Sequence, residues 1–142
     1  MSARAASSAG GCRPVRDLEW VLMENVYDLF KRGTRLLEDG DFHAATVPLA
    51  RAAEIEPDKT SIREALGRAL FRSQRYEQAA AEFEAVVDRA PTNDFALFCL
   101  GRSLQLLGRH HEARGPLALA SNLRPERGDY RKYRDQARKR AA

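Results

Sequence analysis

An all-α solenoid of three stacked helical hairpins, closed by one capping helix, is the fold class this 142-residue sequence predicts. Three observations predict it. A step of 34 residues joins Pro57 to Pro91 and Pro125, Gly33 to Gly67 and Gly101, Leu36 to Leu70 and Leu104, and Ala45 to Ala79 and Ala113; a period of this length marks stacked helix pairs. Within each period the apolar residues recur at helical spacing. Each period also carries a glycine inside a helical stretch, which costs about 1 kcal/mol relative to alanine and calls for a packing reason. The expected reason is close backbone approach, with Ala45, Ala79 and Ala113 of the following helices as the small partners of Gly33, Gly67 and Gly101.

Residues 1–16 are rich in Ala, Ser and Gly and are expected to be disordered, since they offer little apolar surface to bury. They lack the apolar core of a signal peptide, although an acid-free, Arg-containing start faintly resembles a transit peptide. A helix is expected from about Asp17, with Leu18, Val21, Leu22, Leu29, Gly33 and Leu36 on one stripe and Trp20, Met23, Tyr27 and Phe30 on another. A helix apolar on two sides is sandwiched between neighbours. Gly40 ends it with a left-handed cap. Phe42, Tyr76 and His110 open the three second helices as plugs, and Pro57, Pro91 and Pro125 stop them. Pro48 and Pro116, inside second helices, are expected on the outer face. After Pro125 the period fails: Arg131, Arg134, Asp135 and Arg138 stand where apolar residues should. The spacing predicts a capping helix over 129–141 with Tyr130, Tyr133 and Ala137 as its apolar side.

The first-helix residues Leu29, Gly33 and Leu36, then Leu66, Gly67 and Leu70, then Leu97, Leu100, Gly101 and Leu104 resemble the signature of the tetratricopeptide repeat. So do Ala45, Leu49 and Ala52, Ala79, Phe83 and Val86, and Ala113, Leu117 and Ala120 on the second helices. The resemblance covers repeats 26–59, 60–93 and 94–127 within a domain of 17–142, and implies a right-handed solenoid. Arg32 and Arg63 depart from it at usually apolar positions and are expected to loosen the first two repeats. By resemblance the first helices line a concave groove that binds peptides, through Tyr27, Phe30, Thr34 and Leu37, then Ser61, Glu64, Arg68, Phe71 and Arg72, then Phe95, Phe98, Arg102 and Gln105. Arg68, Arg72 and Arg102 suggest a partner segment that is acidic as well as apolar. A second reading has Phe30, Phe71 and Phe98 packing between first helices. Phe30, Thr34 and Ala65 replace the lysine and asparagine set that clamps chaperone tails, so an Hsp70 or Hsp90 terminal peptide is not the expected ligand.

Composition sets outer bounds. No apolar run approaches the ~20 residues needed to cross a bilayer, and no membrane partner is expected. Cys12 and Cys99 have no metal-ligand spacing, which suits a reducing, cytoplasmic compartment. Neighbouring His110 and His111 point about 100° apart on a helix and cannot grip one ion. With no nucleotide loop or nucleophile elbow, the expectation is a non-enzymatic adaptor without cofactor or metal. The net charge of +4 gathers at residues 128–142, where six basic residues face two acidic ones. That tail, Arg131-Lys132-Tyr133-Arg134 with Arg138-Lys139-Arg140, supports an alternative: an accessory protein that touches nucleic acid. The competing view of the tail is a solvated capping helix.

Overall fold

The computed structural model describes the backbone of residues 12–142 and the side chains of residues 25–142. It contains seven helices among the described residues: α1 (Cys12–Glu38), α2 (Phe42–Ile55), α3 (Thr60–Arg72), α4 (Tyr76–Arg89), α5 (Asp94–Leu106), α6 (His110–Leu123) and α7 (Gly128–Ala141). The second helices begin at Phe42, Tyr76 and His110 and end two residues before each period-marking proline. One start differs from expectation. Residues 12–16, read as disordered, form the first turns of α1; Pro14 is tolerated there because the first four amides of a helix have no intrahelical partner. Residues 1–11, and the stripes assigned to Leu18, Trp20, Val21, Leu22 and Met23, lie outside the described residues and side chains.

The turn inside each hairpin is the same structure three times. Gly40, Gln74 and Gly108, spaced by the period, all have positive φ, of 85°, 65° and 80°. Each allows the next amide to reach back five residues: Asp41 to the Leu36 carbonyl, Arg75 to Leu70 and Arg109 to Leu104, at 2.8–2.9 Å. This double closure satisfies carbonyls that the helix end would leave bare. Gln74 holds the conformation without glycine's freedom.

Helix stacking follows from the glycines, each of which meets a large side chain of the second helix. A Cβ on Gly33 would stand 2.4 Å from Leu49 Cγ, on Gly101 2.4 Å from Leu117 Cγ, and on Gly67 2.9 Å from Phe83 Cζ. Each glycine is thus a notch that receives the large side chain of the second helix. Ala45, Ala79 and Ala113, the expected small partners, are also fully buried. Leu49, Phe83 and Leu117 are themselves fully buried, so notch and knob together form the centre of each hairpin.

Two further positions differ from expectation for one reason. Arg63 tightens its hairpin instead of loosening it: its guanidinium pairs with Glu82 at 2.9 Å and donates to the Pro57 carbonyl at 2.8 Å. Glu82 occupies the place that Pro48 and Pro116 hold in the other repeats. These prolines are not exposed on the outer face. Pro48 is buried, and Pro116 is half-buried near Leu100 and Leu104 at the seam with the preceding hairpin. A ring suits an apolar seam and a carboxylate suits one that holds an arginine. Arg32, by contrast, is simply exposed.

Each helix packs on the next, and α1, α3, α5 and α7 also touch one another in turn, whereas α2, α4 and α6 do not. The first helices therefore line the tighter, inner face of the curve. α7 takes the place of a fourth first helix. Its Tyr130 and Ala137 are fully buried against the third hairpin, while Arg131 and Arg138 face solvent where a fourth hairpin would stack. No described helix is long and apolar enough to cross a membrane.

Candidate functional site

The sequence-predicted groove residues fall into three sets, apart from Leu37, which is buried in the core, and Thr34, which donates to the Lys31 carbonyl at 3.0 Å. The first stays open. Tyr27 is 64% exposed, with Lys31 Nζ 5.1 Å from its ring centre. Phe30 is half-buried beside it. Both line a cleft of about 550 Å³ with Val26, Ile55 and Ile62, edged by Glu56, Lys59 and Ser61. Glu64 is half-buried and accepts from Asn93 Nδ2 at 3.2 Å, and Arg68 is exposed one turn further along α3. Asn93 also caps α5, accepting from the Ala96 amide at 3.0 Å. One side chain therefore starts α5 and fixes the carboxylate on α3. Sequence reasoning missed this residue, although an Asn directly before a helical run is a capping signal.

The second set is occupied by the protein itself. Phe98 stacks on Tyr130 with ring centres 4.5 Å apart and tilts against Tyr133 at 5.8 Å. Arg102 lies over the Tyr133 ring at 3.9 Å and donates to Gln105 Oε1 at 2.9 Å. Gln105 is buried and donates to the Tyr133 carbonyl at 3.0 Å. Tyr130 completes the lock by donating its hydroxyl proton to Asp94 Oδ2 at 2.8 Å. Phe98, Arg102 and Gln105 thus hold α7 in place. This corrects their placement in an open groove. The physical reason is that α7 stacks where a fourth first helix would and needs aromatic and amide partners on α5.

Three more residues turn toward seams. Phe95 packs edge-on against Phe83 at 6.4 Å, and Phe71 edge-on against Tyr76 at 5.4 Å. Arg72 lies over the Phe42 ring at 4.2 Å, at the hairpin tip, so it does not join Arg68 across the groove. A helical offset fixes which side of α3 a residue occupies, but not how far a long side chain travels along it. Cys99 was not assigned to the groove, yet it feels the charges of Glu64 and Arg68. Burial pushes its thiol up to about 12 and the Glu64 charge adds to this, with Arg68 opposing. A thiol so placed stays protonated and unreactive near neutrality.

The described inner face thus presents an apolar cleft between α1 and α3 and an exposed cation, Arg68, further along α3. Among the described residues no group of three or more His, Cys, Asp or Glu side chains is placed to hold a metal ion. His110 Nδ1, at the tip of the third hairpin, is buried without a hydrogen-bond partner among the described residues. It acts as a plug there.

The comparisons with known proteins bear on the fold. A tetratricopeptide repeat family model matches residues 36–98. No curated protein matches the chain. Among solved structures, a double mutant of MamA from RS-1, a strain of Desulfovibrio magneticus, superposes with a TM-score of 0.78 at 22% identity, over 82% of this chain and 65% of that one. This chain thus spans less than two thirds of that neighbour's length. MamA from MSR-1 gives 0.76 at 26% identity, over 82% and 67%. The first tetratricopeptide domain of Spaghetti (RPAP3), solved with an HSP90 peptide of sequence SRMEEVD, gives 0.74 at 15% identity, over 82% and 92%. Period, notch-and-knob hairpins, the seven described helices and these neighbours agree on the fold: a right-handed α-solenoid of three tetratricopeptide-type hairpins with a capping helix, in which the family model itself matches residues 36–98.

Proposed function

We propose that this protein is a non-enzymatic interaction module whose concave face binds a peptide segment combining a bulky apolar residue with a carboxylate. The observation that carries the reading is an open aromatic cleft at Tyr27, Phe30 and Ser61, with the exposed Arg68 about two turns further along α3 from Ser61. The apolar residue would seat in the cleft, whose burial contributes about 1.5–3 kcal/mol for a side chain of leucine or phenylalanine size. Arg68 would take the carboxylate through its planar fork, and Glu64 would repel a second acid placed too close. With Phe98, Arg102 and Gln105 committed to α7, the working groove is limited to α1 and α3. The RPAP3 neighbour binds an acidic peptide, which supports the class of ligand. A chaperone tail itself is disfavoured here, because Phe30, Thr34 and Ala65 stand where that ligand's carboxylate clamp would be needed. A cytoplasmic setting belongs to the same proposal and rests on the scarcity of cysteine.

Selection from a random peptide library tests this directly. The protein should enrich sequences with Leu, Phe or Trp two to four residues from Asp or Glu, and Arg68→Glu should reverse the charge preference. Titrated separately, SRMEEVD should bind at least tenfold more weakly than the enriched peptides. Enrichment that is indifferent to Arg68→Glu and to Tyr27→Ala would sink the groove assignment.

A further inference from the structure

We propose that the solvent face of α7 binds the phosphate backbone of nucleic acid without reading its sequence. The whole net charge of the protein resides in this helix. Of 24 basic and 20 acidic residues, residues 128–142 hold six and two, which leaves 18 of each elsewhere and a neutral remainder. A cap that serves only solubility needs charge of either sign; this one carries a threefold excess of bases over acids. Its two acids are already engaged, Asp129 with Arg127 at 2.8 Å and Asp135 with Arg134 at 3.0 Å. Arg131, Lys132, Lys139 and Arg140 pair with no carboxylate among the described residues, and Arg138 approaches Asp135 only at 3.7 Å.

The arrangement is ordered. Arg131 and Arg138 are seven residues apart, as are Lys132 and Lys139, which places each pair in one stripe about 10.5 Å long. Arg131 is steadied by donating to the Pro125 carbonyl, and Arg114 of α6 extends the patch beside Arg138 over the small residues Gly115 and Ala118. The stripes stand on a rigid base, since α7 is locked by Tyr130, Tyr133 and Gln105.

The class of partner follows from what the face lacks. No apolar side chain of α7 is exposed; apart from Gly128, its exposed residues are all charged. A protein interface needs an apolar or aromatic core to supply affinity, and an interfacial membrane helix needs an apolar face to insert. A phosphate backbone needs neither, because clustered cations gain affinity by releasing counterions.

The experiment is fluorescence anisotropy with a labelled 25-base-pair DNA duplex of arbitrary sequence, read at 50 and 200 mM salt. Five phosphate contacts give a slope of about −4.5 in log K against log salt, so affinity should fall about 500-fold between the two conditions. The Arg138→Gln, Lys139→Gln, Arg140→Gln triple variant keeps two contacts, and its loss should shrink to about 12-fold. Those three side chains are exposed, so the variant's unfolding temperature should match the parent's. Arg68→Glu should leave duplex binding within twofold, which separates this surface from the peptide groove. Absence of binding at 50 mM salt overturns the proposal, as does an unchanged salt slope in the triple variant. Tighter binding to phosphatidylserine vesicles or to poly-glutamate than to the duplex overturns it too.

Discussion

Replacing Gly101 with alanine sets two effects of known size against each other. Alanine in a helix interior is favoured over glycine by about 1 kcal/mol. The new Cβ, however, would lie 2.4 Å from Leu117 Cγ and 2.7 Å from its Cδ2. Cγ is a branch point held in a fully buried side chain, so the overlap cannot be relieved by swinging a free end. Overpacking of this kind costs about 1–3 kcal/mol, and an overlap this deep lies toward the upper value. The clash should therefore win, with a net loss of about 1–2 kcal/mol and a fall in Tm of about 4–8 °C for a chain of this size. Gly33→Ala should match it, because Leu49 Cγ stands at the same 2.4 Å. Gly67→Ala should cost less, since Phe83 presents a ring edge at 2.9–3.1 Å. The decisive assay is a double-mutant cycle by denaturant unfolding. Leu117→Ala alone costs about 2–5 kcal/mol through the cavity it leaves. In that background Gly101→Ala should become stabilising by about 1 kcal/mol, so the coupling would reach about 2–3 kcal/mol. If Gly101→Ala costs the same with and without the Leu117 side chain, the notch-and-knob account of the hairpin is wrong.

Gln74, at φ 65°, pays the steric cost of left-handed backbone that Gly40 and Gly108 avoid, so Gln74→Gly should raise stability by about 1 kcal/mol in a thermal melt. Burial, and then the hydrogen bond to Asp94, raise the Tyr130 phenol above its ordinary value near 10. Its contribution to stability is therefore complete below about pH 10 and is lost as pH rises beyond it; denaturant midpoints between pH 9 and 11.5 should fall less steeply in Tyr130→Phe than in the parent. With its thiol pushed up to about 12 by burial, Cys99 in a Cys12→Ser background should react with Ellman's reagent at pH 8 about 100-fold more slowly when folded than in denaturant. Deleting residues 129–142 should expose the outer side of the third hairpin and produce concentration-dependent association in sedimentation velocity.

Sequence alone determined the architecture, and the reason is periodicity. A residue that recurs every 34 positions reports the same local environment three times, so Pro57, Pro91 and Pro125 bounded the second helices and Phe42, Tyr76 and His110 opened them without tertiary information. The capping helix was legible for a related reason: Arg131, Arg134, Asp135 and Arg138 break the apolar pattern at the positions that would carry another hairpin. What the tertiary structure alone decided is where the long side chains go. Gly101 and Ala113 were correctly seen as crowded, but only packing shows that Leu117 fills the notch. Arg63 and Glu82 are 19 positions apart and neither fits the repeat pattern, yet they answer each other across one hairpin at 2.9 Å. Arg102 and Gln105 share a helical side with the groove residues, and nothing local distinguishes them from Arg68. Tyr133, a whole hairpin further along the chain, claims them. Helical spacing fixes the direction in which a Cβ leaves the backbone. A side chain of several rotatable bonds ends wherever the best partner within its reach lies, and that partner is known only once the helices have stacked.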